Sequence, residues 1–330
     1  MKHTTTISKN KNKKLHIRGG GKKGSKKRAY SGTRKRKFLP MNCSPAVKGS
    51  SIIKQSCFPP DVLEKLKESY NKHHQTGKID ATDSVGIWTQ LKDRLSMCNK
   101  EDCWLEQITD EGLRKRLDKY LFAPDQPEDW KKDKGAWLSN FDIFKVLHQY
   151  EALHKNFKII GPTPIDFDKK PKDMDGQCVW DDLCDFSLKT MLSKGKTKLG
   201  VVFNLDKHDD PGSHWVSMFV DLEDDFIFYL DSAGEEIQPE IKVLVERIIE
   251  QGLAMPQKKK IHFYENYPVE HQMGENECGM YALFFIITML TGKSEKRLFK
   301  NYVDKINFFK DKRIPDRYVN KLRKEYFNYE

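Results

Sequence analysis

The chain lacks any apolar run long enough to cross a bilayer. Its longest, Met280 to Leu290, falls well short of the ~20 residues a spanning helix needs. No hydrophobic leader precedes the first charged residues, so a soluble, non-secreted protein is expected. Acid is missing altogether from residues 1–38, which carry 15 Lys and Arg and leave the rest of the chain at a net −4, although the whole stands at +11. The seven cysteines contain no C-x2-C pair. Cys98-x4-Cys103 and Cys178-x5-Cys184 have no matched His pair beside them, so reduced structural thiols are expected and a zinc site is the weaker alternative. No internal repeat is visible.

What is present is an ordinary globular body behind a basic tail. With 38% apolar residues, 19 Phe and 12 Tyr, there is material for a real core, and 330 residues suggest about two domains. The stretch KNKKLHIRGGGKKGSKKRAYSGTRKRK has almost no large apolar side chains. It reads as a solubilising arm, or as a nuclear-localisation or nucleic-acid-binding arm, since phosphate neutralisation needs no fold. Its run Gly19-Gly20-Gly21 can be read as a self-cleavage site or, more cheaply, as flexible linker.

The expected domains are a basic tail over 1–40, a Ser/Pro-containing linker over 41–56, a helical region over 57–125 and a catalytic domain over 126–330. PPDVLEKLKESYNKHH places Val62, Leu63, Leu66 and Tyr70 on one helical face with Pro at its start. DSVGIWTQLKDRLSMC repeats the pattern, and DEGLRKRLDKYLF is a third short helix. WLSNFDIFKVLHQYEALHK is a longer one, capped by Ser139 or Asn140. From about residue 157 the texture changes to short strands: FKIIG, KLGVVFNL, HWVSMFVDL, DFIFYLD and KIHFYEN. The third carries bulk on both faces and reads as a central, doubly covered strand. QPEIKVLVERIIEQGLA is an amphipathic helix and CGMYALFFIITML a buried one. Mixed without βαβ regularity, these elements predict an α+β fold.

A thiol that attacks an amide needs a base, a group to orient the base and donors for the oxyanion. His214 opens the strand HWVSMFVDL and Asp231 closes the next, DFIFYLD; as antiparallel neighbours they would meet at one sheet edge. Cys278 heads the apolar helix, where the helix N-terminus favours thiolate and its N–H groups can face an oxyanion. Gln272 offers a further amide six residues earlier. Each has a plain alternative: a buried small thiol, a surface histidine, a turn aspartate. Their compatible order on converging elements favours the catalytic reading.

HW opening a strand, YLDSAG closing the next and Q-x5-C-G before an apolar helix together resemble the clan of ubiquitin-like-protein-specific proteases and the adenovirus protease, adenain. The likeness covers roughly residues 137–290. It is closest to the branch in large cytoplasmic DNA viruses, the core-processing proteases of African swine fever virus and giant viruses. WLSNFDI, NLDKHDDPGSHWVSMFVD and NECGMYALFFI carry it.

The resemblance implies an adenain-like fold: a central mixed sheet flanked by helices, with a helical arm. Cys278 would be nucleophile, His214 base, Asp231 its orienter, and Gln272 with the Cys278 backbone the oxyanion hole. Trp137 and Trp215 would narrow a channel over a small-residue substrate tail of Gly-Gly type, although core packing is the alternative for both. Asn204 would line the site. The Ala233-Gly234-Glu235 turn and the insert KKPKDMDGQCVWDDLCDF read as local elaborations. The chemistry requires no metal or organic cofactor.

The implied role is maturation of viral structural polyproteins in the virion core and the host cytoplasm or viral factory, with the tail near nucleic acid. The alternatives are an isopeptidase acting on ubiquitin or SUMO conjugates, an acyltransferase, or an idle basic core-scaffold protein.

Overall fold

The computed structural model describes residues 37–294 and 297–329; the basic tail up to residue 36, with its glycine run, lies outside them. The first helices follow the apolar spacing. Helix α1 (Pro60–His73) buries Val62, Leu63, Leu66 and Tyr70, and α2 (Ser84–Arg94) buries Ile87 and Leu91. With α3 (Glu111–Leu121) they enclose one apolar cluster around Phe58 and Trp104. The segment 41–56, expected as a linker, is packed: Ser44 and Val47 are each 1% exposed.

Helix α4 (Asn140–Leu153) is capped by Ser139, not Asn140. Ser139 Oγ accepts the Asp142 N–H and Asp142 Oδ2 accepts the Ser139 N–H, a reciprocal box that satisfies two otherwise orphaned donors. Five strands then form a mixed sheet in sequence order: β1 (Phe157–Pro164), β2 (Lys198–Asn204), β3 (Trp215–Asp221), β4 (Phe226–Leu230) and β5 (His262–Glu265). The outer pairs β1·β2 and β4·β5 are parallel, while β2·β3 and β3·β4 are antiparallel. Two short helices, α5 (Asp181–Cys184) and α6 (Leu188–Ser193), stand between β1 and β2, and α7 (Pro239–Ala254) lies between β4 and β5.

The expected double cover is found. Val216, Met218 and Val220 of β3 face the cluster that holds α6 and α7, and Phe219 faces the opposite one. That second cluster is organised by α8 (Cys278–Thr291), whose residues from Cys278 to Met289 are all buried. A helix apolar all round has to be enclosed on every side. Sheet, α4, α9 (Tyr302–Lys310) and α10 (Asp316–Tyr326) enclose it. The architecture is α+β, with a long buried helix fixed in the middle and only its first residue at a working edge.

The expectation of reduced thiols is corrected. Cys43–Cys57, Cys98–Cys103 and Cys178–Cys184 are bridged, with Cα separations of 5.1, 5.6 and 6.2 Å. All lie within the reach of a disulfide. Sequence spacing does not show which side chains the fold turns toward each other. The bridges also remove these cysteines as zinc ligands.

Candidate active site

Antiparallel pairing of Ser217 with Leu230 brings the start of β3 beside the end of β4. His214, one residue before β3, therefore meets Asp231, one residue after β4: His214 Nε2 lies 2.7 Å from Asp231 Oδ1. The carboxylate is 1% exposed and also accepts the Ala233 N–H at 2.8 Å. Its backbone is gripped from the next strand end. Asp231 N–H donates to Asn266 Oδ1 at 2.9 Å, and Asn266 Nδ2 returns a bond to the Asp231 carbonyl at 2.7 Å. Asn266, itself 1% exposed, thus fixes where the carboxylate starts from.

Cys278, the first residue of α8, is 2% exposed and is the free cysteine of the chain. With Nε2 turned to Asp231, the imidazole has Nδ1 left for the thiol. Burial opposes a charged ring most strongly. The hydrogen bonds of Asp231 and Cys278, with their negative charge, overcome it and push His214 up to about 10. The arrangement favours an imidazolium beside Cys278, at a helix end that stabilises negative charge.

Gln272 sits on the loop ahead of α8. Its Oε1 accepts the Ser232 hydroxyl at 2.8 Å, its backbone N–H donates to the Ser232 carbonyl at 2.8 Å, and its Nε2 donates to the Gly274 carbonyl at 2.8 Å. A primary amide has two N–H groups; the second is left for another acceptor. The same loop is clamped by the C-terminal elements. Buried His271 donates from Nε2 to the Phe309 carbonyl at 2.9 Å and accepts the Ile314 N–H on Nδ1 at 3.1 Å, which defines its neutral tautomer. Burial holds it down at about 4. Tyr281 of α8 bonds the Ile314 carbonyl at 2.6 Å and Asp316 at 2.9 Å, and Asp316 accepts the Met273 N–H at 3.2 Å.

The remaining sequence candidates converge on one cleft of about 590 Å³, lined among others by Trp137, Trp215 and Asn204. Trp137, 43% exposed, donates its indole N–H to Asn276 at 2.5 Å, and Trp215 donates to the Leu138 carbonyl at 3.0 Å. Asn204 serves the loop leading to His214: its Oδ1 accepts the N–H groups of Asp206 at 3.0 Å and Ser213 at 3.3 Å. Gly279, the residue after the thiol, packs directly against two of the side chains that line the cleft, Leu138 and Trp215. A Cβ there would stand 3.1 Å from Leu138 Cβ and 3.4 Å from Trp215 Cδ1.

All seven sequence candidates are thus accounted for in one region. Ser232, Asn266 and His271 were missed; Ser232 lies inside the YLDSAG stretch, whereas nothing local marks Asn266. The insert 169–186, read as a mere elaboration, is corrected: its Val179 and Trp180 line the cleft. Among the described residues no group of His, Cys, Asp and Glu is placed to hold a metal ion.

This fold and this constellation define a cysteine peptidase, and residues 194–326 match the profile described as the Ulp1 protease family, C-terminal catalytic domain. The chain is a cysteine peptidase whose residues 194–326 resemble an Ulp1-type catalytic domain, and the curated relatives described next are viral. It is 27% identical over 290 residues, 82% of this chain and 89% of the relative, to a protein of Acanthamoeba polyphaga mimivirus that is a thiol protease by name. It is 27% identical over 271 residues, 76% of this chain and 96% of the relative, to a cysteine protease of African swine fever virus. In a Namibian warthog isolate of that virus the matching protein, 26% identical over 71% of this chain and 90% of its own, is named a SUMO-1 cysteine protease. The crystal structure of the African swine fever virus protease shares the fold, with a TM-score of 0.57 at 20% identity over 90% of this chain and 98% of that one.

Proposed function

We propose that this peptidase is an endopeptidase that cuts after small-residue pairs of the Gly-Gly type and matures structural polyproteins of a large DNA virus. The observation that carries the mechanism is the 2.7 Å His214–Asp231 pair beside the free thiol of Cys278. The Cys278 thiolate attacks the scissile carbonyl carbon, and the carbonyl electrons move onto oxygen. The Cys278 backbone N–H and the Gln272 amide receive that oxyanion. The His214 imidazolium gives its proton to the leaving amine as the C–N bond breaks, leaving a thioester. His214, now neutral, takes a proton from water, which attacks the thioester and frees the acid and the thiolate. Asp231 holds the ring throughout. Trp137 and Trp215 restrict the approach to Cys278, so a substrate backbone without side chains passes most easily.

The proposed setting is the virion core and the host cytoplasm or viral factory, with the 15 Lys and Arg of residues 1–38 holding the enzyme near nucleic acid. A second reading, an isopeptidase on ubiquitin-like conjugates, is favoured by the SUMO-1 protease name of one relative and uses the same residues. The two are separated by incubating wild type and Cys278→Ala with a Gly-Gly-X peptide library and with ubiquitin and SUMO vinyl-type probes. Cys278-dependent cleavage of free peptides without probe labelling supports the endopeptidase. Labelling by a probe replaces it with the isopeptidase.

A further inference from the structure

The insert 169–186 is a built wall of the cleft. The Cys178–Cys184 bridge closes it, and the next two residues after Cys178, Val179 and Trp180, face the cleft. Main-chain bonds hold them to the chain entering the insert: Val179 N–H donates to the Lys169 carbonyl at 3.0 Å and Trp180 N–H to that of Phe167 at 3.1 Å. From behind, Arg247 of α7 pairs with Asp168 and donates to the carbonyls of Leu183 at 2.8 Å and Cys184 at 3.1 Å. Gln251, one turn on, donates to the Phe186 carbonyl at 2.9 Å and accepts the Leu188 N–H at 2.6 Å. A solvated surface loop needs no such anchoring on both flanks.

The opposite side is tied to it. Buried Asp166 accepts the His208 N–H at 3.0 Å and pairs with His208 Nδ1 at 2.7 Å, so the loop that leads to His214 is fixed against the entrance of the insert. Three tryptophans line the cleft, and their indole N–H groups differ. Those of Trp137 and Trp215 are committed to Asn276 and Leu138. Trp180 packs its ring against the α6–α7 apolar cluster, yet its indole N–H has no partner among the described residues. That donor is not among the buried unpartnered polar atoms, so it is open to solvent. The residue that carries it lines a cleft that a peptide backbone would enter.

We propose that Trp180 is a specificity-determining residue. Its ring is a wall for an extended substrate, and its indole N–H donates to a substrate main-chain carbonyl at a distance from the scissile bond. This rests on the endopeptidase reading but not on the Gly-Gly motif.

The test begins with an unbiased peptide library cleaved by full-length wild type, which identifies the preferred sequence and judges the Gly-Gly reading separately. On that preferred peptide, Trp180→Ala is expected to raise KM at least tenfold with kcat within twofold. Trp180→Phe, which keeps a ring and removes the donor, should fall between. Alkylation of Cys278 by iodoacetamide, which is too small to use the wall, should proceed at the wild-type rate in both variants. An unchanged KM, or iodoacetamide reactivity falling in step with kcat, overturns the proposal; the second result would mean that Trp180 only supports the fold. A library that reveals non-glycine sites sinks the Gly-Gly motif and leaves the Trp180 comparison intact. A wild type that alkylates normally but cleaves nothing overturns both.

Discussion

Ser232 holds Gln272 twice: its hydroxyl donates to Gln272 Oε1 at 2.8 Å and its carbonyl accepts the Gln272 N–H at 2.8 Å. Ser232 comes directly after Asp231, so one turn of chain sets both the partner of the histidine and the direction of the amide. Without the hydroxyl, the amide is oriented only by its Nε2 bond to the Gly274 carbonyl. Ser232→Ala is expected to lower kcat about three- to tenfold with little change in KM, against ~100-fold for removal of a whole oxyanion donor in Gln272→Ala. Steady-state kinetics on one cleaved peptide checks this. A Ser232→Ala enzyme with full kcat would show that Gln272 needs no orienting.

The His214–Asp231 pair makes stability depend on alkaline pH. In the unfolded chain His214 titrates near 6.5, and in the fold it is raised to about 10. A raised basic group contributes fully below 6.5 and loses that contribution as pH climbs through 10. The melting temperature of wild type should therefore fall between pH 6.5 and 10. Asp231→Asn should show a visibly flatter decline over the same window. Parallel declines would mean that other groups carry the effect.

His271 gives the opposite window. Buried and neutral, held at about 4, it must take a proton when the chain unfolds below 6.5. Stability is therefore complete above 6.5 and fades as pH falls toward 4, by up to ~3 kcal/mol. Arg313 pushes it in the same direction, and Tyr281 and Asp316 complete the clamp around it. Denaturant midpoints at pH 7 and pH 4.5 should differ more for wild type than for His271→Asn. The Gln272 loop should loosen first, seen as faster amide exchange at Gln272 and Met273 at the lower pH.

Gly234 is expected to reject any side chain. Its φ is +77°, and an added Cβ would stand 2.7 Å from the Glu270 nitrogen and 2.8 Å from its Cα. These are backbone atoms of the segment that leads to Gln272, and they cannot rotate away. Gly234→Ala should destabilise the protein by ~2 kcal/mol or more and depress kcat by moving Gln272 away from Cys278. Thermal melts and kinetics together test it, and a neutral Gly234→Ala would falsify the close-packed turn.

The parts of this enzyme that obey a period or a strand edge were legible from residues alone. Val216, Met218 and Val220 announced a doubly covered strand, and the apolar run after Cys278 announced a buried helix. His214 and Asp231 could be joined because antiparallel neighbours bring a start beside an end. The hidden features depend on distant contacts. Asn266 reaches Asp231 across 35 residues, and His271 finds its acceptor at Phe309. No local pattern encodes either. The six bridged cysteines were misread although their partners lie only 14, 5 and 6 residues apart, because spacing alone does not say which way a side chain turns. The insert was dismissed because its sequence looks like any polar loop, and only the fold shows which of its residues turn inward.

Asn42 and Asn328 close the molecule into a ring. Asn42 N–H donates to Asn328 Oδ1 at 2.6 Å and its side chain to the Phe327 carbonyl at 2.6 Å, while Asn328 donates to the Ala123 carbonyl at 2.7 Å. Gln126 adds a bond to the Asn328 carbonyl at 2.8 Å. The helical arm is therefore buckled to the catalytic body by Phe327 and Asn328, just beyond the end of α10. Those residues work as a latch: a nick or deletion there would leave Cys278, His214 and Asp231 untouched but reduce the ties of the arm to those such as Gln149 of α4, which donates to the Lys119 and Phe122 carbonyls.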